Sequence, residues 1–184
     1  MINNTSYSLE ITEHNSVTDL SYGVWLVVLH ASRKPPHVGL LINGKYSSLT
    51  LKGIEKEIDS SILLKSIQQK KIESVFIQLK KHPVFSTDYL NEILKLNLHK
   101  FEKVKPFEAS CVSPVKLFLN EFYALNSSEN ELLYELVERL KQNNFIDSVY
   151  GVNLKNTVTF NFPIYSFEEL QQFISNEIQP LNLK

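Results

Sequence analysis

The single cysteine of the sequence, Cys111, lies where a predicted helix begins. Apolar residues follow at three- and four-residue spacing, among them Val115, Phe118 and Leu119, so one continuous face of this helix should be buried. Pro114 fits the first turn, because a proline there loses only an N–H group that has no partner within the helix. Unpaired N–H groups and the helix dipole stabilise a thiolate at such a position, so Cys111 is a candidate nucleophile.

A cysteine nucleophile needs an imidazole within hydrogen-bond reach, which takes the thiol proton and later returns it to the leaving group. The sequence has five histidines: His14, His30, His37, His82 and His99. His37 is the best candidate, since it starts a predicted strand, prolines 35–36 stiffen the approach, and Gly39 lets another backbone or a substrate come close. Two alternatives stay open, because a lone cysteine is often a small buried hydrophobe and a histidine at a strand end can lack any role.

The residue spacing indicates no metal or phosphate site. No His-x-x-x-His or Cys-x-x-Cys pattern occurs, and a structural zinc site usually needs four closely specified ligands. His30 and His37 flank the proline loop and would share a metal only by chance. The five glycines are spread over the chain, so they form no phosphate-binding loop, and there is no Gly-x-Ser-x-Gly elbow. We therefore expect no cofactor.

Strands are predicted on both sides of His37. A β-branched and aromatic run at 22–29 predicts a buried strand. A second strand at 37–42 is followed by Asn43 and Gly44, the strongest short signal for a hairpin, and by a returning strand at 45–51. These last two strands should therefore pair antiparallel.

Further along, helices and strands alternate up to the cysteine helix. The predicted elements are a strand at 54–58, a helix capped by Asp59 and Ser60, a strand at 75–79 and a helix capped at 86–88. A boundary at 126–128 then divides the chain into a domain of residues 1–125 and a small subdomain of residues 126–184 packed on it. The subdomain should contain, in order, a helix at 129–142, strands at 147–152 and 157–162, and a helix opened by Ser166 and Glu169.

Composition limits the function classes. The chain has 184 residues, 43% of them hydrophobic, and a formal net charge of −1 with interspersed charges, so binding to nucleic acid is not expected. One cysteine cannot form an internal disulfide, and residues 1–10 lack the basic start and apolar run of a signal peptide. The longest apolar run, 24–29, is far too short to span a bilayer. The expected compartment is the cytoplasm.

The order of these elements resembles the circularly permuted branch of the NlpC-like papain superfamily, to which lecithin:retinol acyltransferase is distantly related. The resemblance covers about residues 20–125, and its specific part is His37-Val-Gly at a strand start followed later by Cys111 at a helix start. It implies an α+β fold with a papain-like antiparallel sheet and a cysteine-bearing helix, to which a C-terminal α-β-β-α appendage is added.

The resemblance also implies roles for single residues. Cys111 would be the nucleophile, with its own N–H group in the oxyanion hole, and His37 the base. The third member of the family's site is a polar residue on the strand after the histidine, where Thr50 is the nearest match and Ser48 a substitute. A hydroxyl can orient an imidazole but does not stabilise imidazolium as a carboxylate does.

Two functions follow from the resemblance. The first is a cysteine hydrolase or acyltransferase that acts on a small peptide, amide or ester substrate through an acyl-enzyme. The second is an inactive papain-like module that binds a peptide or protein through the same cleft. This alternative is suggested by departures from the family pattern, such as Val24 where relatives often have aspartate. In a third interpretation, Cys111 is part of the core of an α+β domain.

Overall fold

The computed structural model describes residues 7–14, 19–155 and 158–178. Residues 1–20, whose weak alternation predicts a short edge strand or an ordered arm, lie partly outside the described residues, as does part of the predicted strand 157–162. The fold is α+β, as the sequence predicts. The described elements are β1 (Ser8–Glu10), β2 (Glu13–His14), β3 (Val24–Leu29), β4 (His37–Ile42), β5 (Lys45–Thr50), β6 (Gly53–Asp59), α1 (Ser60–Gln69), β7 (Ser74–Leu79), α2 (Thr87–Leu98), α3 (Val112–Tyr123), α4 (Leu133–Gln142), β8 (Ile146–Val152), β9 (Thr159–Asn161) and α5 (Phe167–Ile178).

A seven-stranded sheet in the order β2-β8-β7-β3-β4-β5-β6 is the centre of the fold. Strands β3 to β8 pair antiparallel, and the two-residue β2 joins the edge in parallel with β8. The apolar run of β3 is explained by its place between β4 and β7, where both of its faces are covered.

The hairpin predicted at Asn43 and Gly44 is confirmed. Both residues have positive φ, 49° and 75° respectively, as expected for the turn type that matches the twist of two antiparallel strands. The turn sets Ile42 opposite Lys45 and Gly39 opposite Ser48. Because side chains alternate along a strand, those of His37 and Ser48 lie on the same face of the sheet as Leu41 and Tyr46, which is the face that α1 covers.

Helices cover both faces of the sheet and create two apolar clusters. The larger cluster joins one face to α2, α3, α4 and α5, and α3 contributes buried Val115, Phe118 and Leu119 to it. The smaller cluster joins the other face to α1 through Leu63 and Ile67. None of the described helices combines the length and the apolar character needed to cross a bilayer.

The segment after residue 126 is connected to the rest of the fold by strand pairing. Strand β8 lies between β2 and β7 in the central sheet, and β9 pairs with β1 in a separate two-stranded sheet. Each of the two strands of the predicted α-β-β-α unit therefore pairs with a strand from residues 1–125. The division into a domain of residues 1–125 and a subdomain of residues 126–184 stays a prediction.

Candidate active site

The Cys111 sulfur lies at the N-terminus of α3, where it faces the backbone of β4. Cys111 is the N-cap residue of the helix. Its Sγ atom is 4.0 Å from the carbonyl oxygen of Pro36. The N–H group of Val38 and those of Cys111 and Val112 lie close enough to the sulfur to stabilise a negative charge on it. The sulfur thus contacts the strand backbone immediately before and after His37.

Burial decides the protonation state of this thiol. It raises the pKa of Cys111 to about 11, although the three N–H groups act in the opposite direction. Among the described residues, backbone N–H groups are the only ones that lower this pKa. Burial likewise raises the pKa of Tyr46 and of Tyr165, and a charge on nearby Cys111 would add to both shifts. The thiol is therefore neutral at pH 7.

His37 is the first residue of β4, and its imidazole is held by the neighbouring strand. The Nε2 atom lies 3.1 Å from the Oγ atom of Ser48. Burial lowers the pKa of His37 to about 4, with a smaller contribution from His30. Among the hydrogen bonds of the described residues, none joins the Cys111 sulfur to a ring nitrogen of His37. Both groups are therefore neutral. Cys111 packs with α3 on one face of the sheet, whereas the imidazole lies on the face that α1 covers.

Of the two residues proposed as the third member, the structure brings Ser48 to the imidazole. The hydroxyl of Thr50 instead donates to the carbonyl oxygen of Gly53 at 2.9 Å and accepts from the N–H group of Lys52. Thr50 therefore closes the turn between β5 and β6, since both bonding directions of its hydroxyl are used there.

Sequence reasoning missed a carboxylate behind Ser48. The Ser48 hydroxyl donates to Oε2 of Glu55 on β6 over 3.4 Å, and the two residues face each other in the strand register. An acidic pair such as Glu55 and Glu57 indicates a solvated face, and the side chain of Glu55 is indeed exposed. The alternation of apolar and acidic residues at 54–58 could have indicated this contact, but only with the register of β5 against β6.

Tyr46 is a second residue that sequence reasoning missed. Its ring lies over Gly39, where an added Cβ atom would be 2.7 Å from the Tyr46 hydroxyl. The side chain is 1% exposed, and its hydroxyl has no hydrogen-bond partner among the described residues. Ser48 lies close to this hydroxyl without a hydrogen-bonding geometry, and it lowers the pKa of Tyr46 against the larger effect of burial. An unpaired buried hydroxyl beside the imidazole network is unusual in a native protein.

Of the remaining histidines, His82 is engaged elsewhere and His99 is exposed. His82 uses both ring nitrogens: Nε2 donates to the carbonyl oxygen of Phe122 at 3.0 Å, and Nδ1 accepts from the N–H groups of Val84 and Phe85. His99 is exposed at the C-terminus of α2. Among the described residues, no group of three or more His, Cys, Asp or Glu side chains could hold a metal ion.

A groove of about 340 Å³ runs along the flank of α3. Ser110 and Ser113 line it, together with segment 127–132 and α5, whereas neither Cys111 nor His37 does. Lys116 closes one end by donating from Nζ to the carbonyl oxygens of Ser128, at 3.1 Å, and of two further residues of the loop. The groove is therefore next to the cysteine but separate from the surroundings of its sulfur.

No family model matches the chain, and the comparisons with curated proteins and with solved structures found no match either.

Proposed function

We propose that the chain is a papain-like thiol hydrolase or acyltransferase, with Cys111 as nucleophile and His37 as base. One observation carries the proposal: the sulfur of Cys111 lies against the β4 backbone on both sides of His37, with Pro36 before it and Val38 after it. These residues are far apart in sequence, and the helix N-terminus supplies N–H groups at the sulfur. The resemblance to the permuted NlpC-like branch supports the assignment of the two roles.

His37 acts as a general base during the attack. Neutral imidazole and neutral thiol form no ion pair at rest, so the proton leaves as the new bond forms. Sγ attacks the carbonyl carbon of an amide or ester, the C–S bond forms, and the carbonyl electrons move to oxygen, which the N–H group of Cys111 stabilises. The tetrahedral intermediate then expels an amine or alcohol, which takes the proton from His37.

The acyl-enzyme has two possible fates, which define the two forms of the activity. Water attacks the thioester in a hydrolase, and an amine or alcohol attacks it in an acyltransferase. In both cases His37 removes a proton from the attacking group, and the Cys111 thiol takes up that proton again. A small peptide, amide or ester fits this chemistry, since each offers an acyl carbonyl and a leaving group.

The rate of iodoacetamide labelling as a function of pH tests the proposal. Cys111 is the only cysteine, so the label reports on one site. With His37 as general base, the rate should stay level from pH 5 to 9, because the pKa of His37 is about 4 and that of Cys111 about 11. In His37→Ala the level region should disappear, and the rate should rise about tenfold per pH unit. His99→Ala is the matched control and should behave as wild type.

Acyl-enzyme formation is a second, more direct measurement. The protein is treated with p-nitrophenyl acetate, and the site of acetylation is found by mass spectrometry of its peptides. Acetyl retained on Cys111 in wild type, and lost in His37→Ala, is the expected result. Acetylation confined to lysines would contradict the proposed chemistry.

A second function, a papain-like module that binds a peptide or protein without cleaving it, is favoured by the direction of the two pKa shifts. The pKa of Cys111 is raised and that of His37 is lowered, the reverse of the order required by a thiolate–imidazolium pair. An inert thiol would show the same tenfold rise per pH unit in wild type and in His37→Ala. That outcome would reject the enzyme.

A further inference from the structure

Two hydrogen bonds connect side chains on three neighbouring strands, β4, β5 and β6. Nε2 of His37 on β4 lies 3.1 Å from Oγ of Ser48 on β5, and Oγ donates to Oε2 of Glu55 on β6 over 3.4 Å. Gly39 pairs with Ser48, and Ser48 pairs with Glu55 in the strand register. The side chains of His37, Ser48 and Glu55 therefore lie on the same face of the sheet.

The available protons determine which group donates and which accepts in each of these two hydrogen bonds. A carboxylate only accepts hydrogen bonds, so the single proton of the Ser48 hydroxyl is directed to Glu55. The Ser48 oxygen can then only accept from the imidazole, which requires a proton on Nε2 of His37. The lone pair of the neutral ring is consequently on Nδ1.

We propose that Glu55, acting through Ser48, is a positioning residue that holds His37 in the tautomer with its proton on Nε2 and its basic lone pair on Nδ1. This inference rests on the proposed function for its catalytic meaning, whereas the tautomer itself can be measured without any activity. The carboxylate would also stabilise the imidazolium that forms during the attack, which a serine hydroxyl alone cannot do.

The other two acidic residues of β6, Glu57 and Asp59, each form a salt bridge with a lysine. Glu57 pairs with Lys95 at 2.7 Å and so has a cation of its own. Among the described residues, no lysine or arginine forms a salt bridge with Glu55. The side chain is exposed, and a small rotation would shorten its 3.4 Å bond to Ser48 when His37 becomes charged.

Among the titratable groups described near His37, Glu55 is the carboxylate. His30 adds a base from the turn before β4 and Tyr46 a phenol from β5, while the Cys111 thiol packs with α3 on the other face of the sheet. The thiol and the phenol have raised pKa values and are neutral at pH 7. Neither group can therefore replace the negative charge of Glu55, and loss of that charge should change which ring nitrogen of His37 carries the proton.

Nitrogen-15 NMR of the histidine rings tests the inference, because protonated and unprotonated ring nitrogens have well-separated shifts. The His37 signals are assigned by their absence in His37→Ala. At pH 7 the wild type should show a proton on Nε2 and none on Nδ1. In Glu55→Gln the amide can donate to Ser48, so the Nδ1-protonated form should become the major one. Glu57→Gln removes the same charge two residues away and should leave His37 unchanged.

A proton on Nδ1 of the wild-type ring would overturn the inference, as would an unchanged tautomer in Glu55→Gln. The labelling rate at pH 7 separates this result from the enzymatic proposal. If both proposals hold, Glu55→Gln should lower that rate roughly tenfold, the equivalent of one hydrogen bond to a charged group. An Nε2-protonated ring together with an inert thiol would uphold the positioning role and reject the hydrolase.

Discussion

The Nε2 atom of His37 and the Oγ atom of Ser48 are 3.1 Å apart, in a contact that runs diagonally between β4 and β5. The strand register pairs Ser48 with Gly39, and the β4–β5 ladder ends at this pair. Long side chains reach such diagonal positions across an antiparallel pair. Thr50 would face His37 only if the ladder continued, but Thr50 pairs with Gly53 in the next turn.

Replacing the two hydroxyl residues should therefore have different consequences. Ser48→Ala removes the acceptor of the imidazole, and we expect the level part of the labelling profile to fall roughly tenfold, since the imidazolium loses one hydrogen bond. Thr50→Ala breaks only the turn contacts and should leave the profile unchanged. The measurement is the iodoacetamide rate between pH 6 and 8. Equal effects of both variants would mean that the imidazole does not depend on Ser48.

Acid should destabilise the protein through His37. Its pKa is about 4 in the folded chain, below the ordinary value, so the unfolded chain binds more protons between about pH 6.5 and pH 4. The free energy of unfolding should fall by about 3 kcal/mol over this window, and this contribution is fully retained above pH 7. Urea unfolding of wild type and His37→Gln measures it, since the variant should lose that part of the slope. A variant with the wild-type slope would contradict the burial of a neutral imidazole.

Gly39→Ala should disturb the site through packing. A Cβ atom there would lie 2.6 Å from the carbonyl oxygen of Ser47 and 2.7 Å from the Tyr46 ring, and neither the strand nor the buried ring can move freely. We expect a loss of about 3 kcal/mol in urea unfolding. Gly151→Ala is the control, because its Cβ atom would meet the ends of two flexible side chains, Leu154 and Ile11, and should lose only about 1 kcal/mol. Similar losses in both variants would contradict this explanation.

Removal of the Tyr46 hydroxyl should not destabilise the fold. This group is buried without a hydrogen-bond partner among the described residues, so Tyr46→Phe should leave the free energy of unfolding unchanged or raise it by up to about 1 kcal/mol. Tyr134→Phe is the matched comparison, since its hydroxyl donates to the carbonyl oxygen of Tyr165 at 2.9 Å. That variant should lose about 1 kcal/mol. A clear loss in Tyr46→Phe would reveal a bond of the hydroxyl in solution.

Local sequence patterns predicted most of the elements, because their signals lie within a few residues. Ser166 and Glu169 form the predicted reciprocal cap of α5, with bonds of 2.6 Å and 3.2 Å. The helix predicted to start at 129 begins at Leu133 instead. Asp59 occupies the N-cap position of α1 without a cap bond, because its carboxylate binds Lys45. These differences arise where side chains have partners from another element.

The sequence by itself determined the α+β class, the Asn43 and Gly44 hairpin, and the position of Cys111 at the start of a helix, since each depends on short-range periodicity or turn chemistry. Only the tertiary structure decided that Ser48 contacts the imidazole and that Glu55 lies behind it. It also decided that thiol and imidazole are neutral, because strand register and burial are set by residues far away in the chain.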